Sequence, residues 1–158
     1  MDHYELEASI WTDADFDRMG WHDCRIHAMG FNPAAGEFLL DIDYIFAWVP
    51  PPAGETYFKF WLAPATLVFE ESSDMRIDVS TWSDLGIDRV LRSAPQQLPD
   101  GRLAYTYTLE CQQGEISVSA SGYRMFVKRM PVLQQGQVLE SAQRGGQTFS
   151  RDLRPQSL

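Results

Sequence analysis

Between residues 38 and 48, apolar side chains occupy every second position. Phe38, Leu40, Ile42, Tyr44, Phe46 and Trp48 share one parity, and Asp41 and Asp43 take the other. Successive side chains of a strand point to opposite faces, so the pattern predicts a long strand with one apolar face and a solvated face carrying both carboxylates. Pro50, Pro51 and Pro52 remove three backbone donors in a row and, with Gly54, predict a surface connection. Apolar runs over 57–62 and, after a break at Pro64, over 65–70 predict two further strands; Met75, Ile77 and Val79 alternate with polar neighbours in another. These read as neighbours in a meander.

The second half repeats the two-residue period. Leu103, Tyr105, Tyr107, Leu109 and Cys111 share a parity, 112–114 supplies a turn, and Ile116, Val118 and Ala120 alternate with Glu115, Ser117 and Ser119. Ser121 and Gly122 then break the chain before a last apolar segment, 123–127, so a hairpin or three-strand meander is expected here. Residues 24–31 read as a first strand turned at Asn32, Pro33 and Gly36. Residues 85–91 read as a turn of helix, although Gly86, Ile87 and Val90 weaken it.

Seven or eight short strands without amphipathic crossover helices predict a mainly β fold. The expected form is an antiparallel meander sheet, curled or packed on itself as a half-barrel or sandwich, with at most one or two helical turns. Residues 1–140 form this single domain. Residues 141–158, rich in Gln, Ser, Arg and Gly, are expected to be a polar tail that is loosely packed or disordered.

Composition narrows the function classes. A chain of 158 residues with 44% hydrophobic side chains can bury a core without metal or disulfide help. No apolar run reaches the roughly 20 residues of a membrane helix, and the first residues lack the pattern of a secretory leader; a cytoplasmic protein is expected. Cys24 and Cys111 stand at no zinc-like spacing and read as reduced thiols. With 22 acidic against 13 basic side chains the formal charge is −9, which disfavours nucleic acid and anionic membranes as partners and favours a basic protein.

Chemistry-bearing residues concentrate at Trp21, His22, Asp23 and Cys24, with His27 nearby. On one strand, His22 and Cys24 share a face opposite Asp23 and His27, so the four do not converge by themselves. Either histidine could combine with Asp41 or Asp43 from the adjacent strand. Metal sites need exact convergence, however, and the expectation is no metal and no cofactor. Asp13, Asp15 and Asp17 imitate a calcium loop, but Arg18 replaces the required Gly and Cys24 the required Glu. There is no nucleophile elbow, phosphate-binding glycine loop or zinc-protease motif. Trp21, His22, Asp23, Asp41 and Asp43 thus remain a candidate functional surface with no catalytic assignment. Aromatic residues around the proline loop, among them Trp48, Tyr57, Phe58, Phe60 and Trp61, serve either the core or a protein-binding hot spot.

The segments Trp21-His22-Asp23, Asp41-Ile42-Asp43-Tyr44-Ile45 and Phe60-Trp61-Leu62-Ala63-Pro64-Ala65-Thr66-Leu67-Val68-Phe69-Glu70 resemble a family of small uncharacterised bacterial proteins. The likeness extends through Ser121-Gly122-Tyr123 and Pro131. It implies a bacterial cytoplasmic domain and transfers no catalytic residue. Two functions stay open. One is a non-catalytic protein-interaction module, of the immunity type that neutralises a basic toxin. The other is a small-molecule-binding or hydrolytic domain with His22, Asp23, Asp41 and Asp43 at the mouth of a concave sheet.

Overall fold

The computed structural model describes residues 3–155. Eleven strands are present among them: β1 (Ile10–Thr12), β2 (Arg25–Asn32), β3 (Glu37–Val49), β4 (Lys59–Glu70), β5 (Ser73–Val79), β6 (Ile87–Arg92), β7 (Gln96–Gln97), β8 (Leu103–Cys111), β9 (Gly114–Ala120), β10 (Gly122–Val127) and β11 (Val132–Gln134). The helical parts are a 3₁₀ segment at Asp13–Arg18 and one turn, α1, at Ser141–Arg144. Two antiparallel sheets result. The first runs β1-β10-β4-β3-β2 with β11 also paired to β4; the second runs β5-β9-β8-β6 with β7 paired to β8.

The mainly β, antiparallel architecture is the one the two-residue period predicts, in its sandwich form. Phe38, Leu40, Ile42 and Tyr44 of β3 are buried with Leu67, Phe69 and Met125 of the same sheet and with Tyr107, Leu109, Ile116 and Val118 of the other. Apolar faces of two sheets thus exclude water together. An aromatic group sits at the centre, where the Phe69 ring lies 5.3 Å from Tyr107 and 6.1 Å from Tyr123.

Several details depart from expectation. Pro64 does not end a strand: β4 runs through it, paired to β3 at Asp43. The proline falls where the other neighbour of β4 changes, between the β11 register at 60–62 and the β10 register at 65–70, so few ladder bonds are at stake there. Residues 85–91 carry strand β6, not a helical turn. Nor are β4 and β5 meander neighbours, because the chain changes sheet at Glu71, which adopts a φ of 49°. It changes back between β9 and β10, and the two corners are joined by the Ser121 amide donating to the Glu70 carbonyl at 2.9 Å. The hairpin expected in the second half is β8-β9, while β10 belongs to the other sheet.

The outer face of the first sheet is not bare. Residues 139–154 cross it as a strap: the Thr66 hydroxyl donates to the Ser150 carbonyl at 2.7 Å, and the Arg154 amide to the Lys128 carbonyl at 2.9 Å. Phe149 lies so close over Gly30 that a Cβ added at that glycine would stand 2.8 Å from its ring. The loose packing expected from 141 onward therefore gives way, through residue 155, to a docked segment; 156–158 lie outside the described residues. No helix among the described residues is long and apolar enough to cross a membrane.

Candidate functional site

The five surface candidates separate into two places. Asp41 and Asp43 are corrected from solvated to fully buried: they point away from the inter-sheet core, as their parity requires, but the strap covers them. Arg144, from α1, reaches both. Its Nη2 donates to Asp41 Oδ1 at 2.5 Å and its Nε to Asp43 Oδ1 at 2.9 Å. Lys128 Nζ donates to Asp41 Oδ1 at 2.7 Å and to the Thr148 carbonyl at 2.5 Å. The Thr148 amide adds a bond to Asp41 and the Leu139 amide one to Asp43, at 3.1 and 2.9 Å. His27 Nε2 stands 2.7 Å from Asp43 Oδ2, a combination of histidine and adjacent-strand carboxylate that the sequence permitted.

Every oxygen of the two carboxylates therefore has a partner, as buried charges require. Burial alone pushes the Asp41 carboxyl up, but hydrogen bonds from Arg144 and Lys128 outweigh it and hold the pKa below its ordinary value. Burial likewise opposes the charge on Arg144, and its bonds to Asp41 and the nearby Asp43 hold its pKa above normal. Burial pulls the Lys128 ammonium below its ordinary value despite Asp41. Both carboxylates are sealed from solvent, and the arrangement fastens the strap.

A depressed carboxylate pKa has a defined pH signature. Above the unfolded-state value of about 3.9, Asp41 is ionised in both states and its contribution is fully present. As pH falls through the lower folded pKa, the unfolded chain takes up the proton first and that contribution is lost. Thermal melts should therefore drop in Tm below about pH 4, and Asp41→Asn should flatten this part of the profile. An unchanged acid limb in the variant would remove Asp41 as its source.

Trp21, His22 and Asp23 lie at one end of the sandwich. Trp21 is core, edge-on to Tyr44 at 5.4 Å and Tyr123 at 5.9 Å. His22 projects outward and stacks on Trp48, with ring centroids 5.8 Å apart and planes 20° from parallel. Asp23, at a φ of 66°, turns its carboxylate toward His22, Oδ2 standing 3.4 Å from Nε2. Asp88 of β6 is the partner that the sequence reading missed. Its backbone carbonyl lies 3.2 Å from His22 Nδ1, and one ligand atom from each of His22, Asp23 and Asp88 falls within 4.8 Å of the others. Strand parity within 21–27 carried no signal for a residue over sixty positions away.

Cys24 takes no part in this cluster. It is fully buried, and burial pushes its thiol up to about 12, far from a nucleophile's range. Both cysteines are free thiols. Asp13, Asp15 and Asp17 fall in the 3₁₀ segment, where Asp15 accepts from the Thr12 amide at 3.0 Å as part of a capping box.

Beyond His22, Trp48 continues an aromatic surface. It meets Phe60 edge-on at 5.0 Å and Phe58 at 6.2 Å, and Tyr57, Phe58 and Trp48 are 72%, 44% and 43% exposed. His22 and Trp48 also line a cleft of about 400 Å³, together with Trp11, Tyr44, Phe46 and the paired Arg18 and Glu7. Comparison of the chain with protein-family models, curated proteins and solved structures gives no match.

Proposed function

We propose that the chain is a non-catalytic protein-interaction module, of the immunity type in its general logic, which docks a basic partner through the aromatic surface beside the proline loop. The observation that carries this reading is the exposure of Trp48, Tyr57 and Phe58 side by side. Large rings left in water next to one another are what binding hot spots are made of, whereas single exposed apolar residues are ordinary. A basic partner is supported by the −9 formal charge of the chain as a whole. The hydrolytic alternative loses its residue set, because Asp41 and Asp43 are sealed in ion pairs away from His22 and Asp23.

A second reading, small-molecule binding, draws on the cleft beside Trp48, whose walls combine aromatic rings with the Arg18–Glu7 ion pair. Capture from bacterial lysate with the native chain and with Tyr57→Ala/Phe58→Ala as baits separates the two. The protein-binding reading expects a basic protein held by the native bait and, once purified, bound at least tenfold more weakly by the variant, about 1.4 kcal/mol. Its association rate should fall as salt rises. Equal binding by both baits, or a salt-independent rate, would overturn it.

A further inference from the structure

We infer that His22, Asp23 and Asp88 form a binding site for a divalent transition-metal ion of the zinc class. This inference stands independently of the docking surface, and it reverses the expectation of no metal, which weighed His22 and His27 with Asp41 and Asp43 but not with Asp88. The donors come from two elements: His22 and Asp23 precede β2, and Asp88 lies on β6. They are brought together where the two sheets meet, by the Asp23 amide donating to the Ile87 carbonyl at 2.7 Å and the Ile87 amide to the Cys24 carbonyl at 2.9 Å. Backbone bonds on both sides of the cluster therefore set the spacing of its side chains.

The histidine is oriented for ligation. A carbonyl can only accept, so the contact between His22 Nδ1 and the Asp88 carbonyl at 3.2 Å places a proton on Nδ1. In the neutral ring the lone pair is then on Nε2, which faces the Asp23 carboxylate. A histidine whose second nitrogen donates to a backbone carbonyl is the usual way a protein holds an imidazole for metal. Atoms bound to one Zn²⁺ at 2.0–2.2 Å in tetrahedral array stand about 3.3 Å apart. The Nε2 to Oδ2 separation is 3.4 Å. Asp88 supplies the third donor, since one ligand atom from each of the three residues lies within 4.8 Å of the others.

One imidazole and two carboxylates suit zinc, and are less suited to copper(I), which prefers sulfur, or to calcium, which takes six or more oxygens. Gln137 Nε2 donates to Asp23 Oδ2 at 2.8 Å, orienting the carboxylate from outside the set. Three protein ligands leave a coordination position for water, and the half-exposed His22 side chain gives the ion access from solvent.

The test is calorimetric titration of Zn²⁺ into chelator-treated protein near neutral pH, followed in parallel by tryptophan fluorescence. Binding of one ion per chain is expected, with a fluorescence change that Trp48→Phe largely abolishes, because that ring stacks on His22. His22→Ala and Asp23→Asn should each weaken binding by at least about tenfold. Asn tolerates the left-handed backbone at position 23, so the second variant removes charge without strain. His3→Ala should change nothing. Binding of equal strength in both variants, or no saturable binding in the native chain at millimolar Zn²⁺, would overturn the assignment. A Zn²⁺-dependent rise in Tm, lost in Asp23→Asn, checks that the ion meets the folded state.

Discussion

Replacing Arg144 with alanine is expected to lower the stability of the fold by about 3–5 kcal/mol, although the residue stands in a polar segment near the end of the chain. Arg144 is 3% exposed and its guanidinium bonds both buried carboxylates, with Asp41 held by Nη1 and Nη2 and Asp43 by Nε. Removing it strands two carboxylates out of water with only Lys128, His27 and two backbone amides to share. Arg144→Lys should recover little, because an ammonium is a point donor and does not span two acceptor groups as a planar fork does. Asp43→Asn in the Arg144→Ala background should restore part of the loss by cancelling one unpaired charge. Urea unfolding measures all three; a loss below about 1 kcal/mol for Arg144→Ala would mean that water reaches the pair and the strap is not fastened there.

Leu40→Ala is expected to cost roughly 2–5 kcal/mol, the range for a truncated buried leucine whose neighbours relax incompletely. Leu40 is fully buried, and the register places it opposite Met29 on β2 and Leu67 on β4, at the middle of the first sheet. Its side chain faces the second sheet, so the cavity would open between two layers whose backbones are tied into ladders and resist collapse. A change below about 0.5 kcal/mol would fit only an exposed position and would mean the inner face of β3 is misassigned.

The inner half of the fold was legible in the alternation itself. Residues 103–111 were expected as one strand and form β8, and 38–48 form the centre of β3, because one face of each is apolar and the other is not. What alternation does not report is a second covered face. Leu39 and Ile45 bracket Asp41 and Asp43 on the same parity and are both buried, a sign that this side does not meet bulk water. Arg144 and Phe149 were the matching signals in a segment whose composition otherwise reads as loose. Neither signal names its partner, since the pairing joins positions far apart in the chain. The same holds for Asp88: nothing local marks an acidic residue on one sheet edge as the neighbour of a histidine on another.

The strap's fastening also sets an order of assembly. Asp41 is separated from Lys128 by 87 residues and from Arg144 by 103, so a growing chain exposes its two carboxylates long before either cation is synthesised. Until then both acids must keep their water. The first sheet can pair its strands and meet the second through the apolar face, but its far side stays hydrated and its edges loosely held. Closing so long a loop is slow, and only afterwards does burial of the charges reward it.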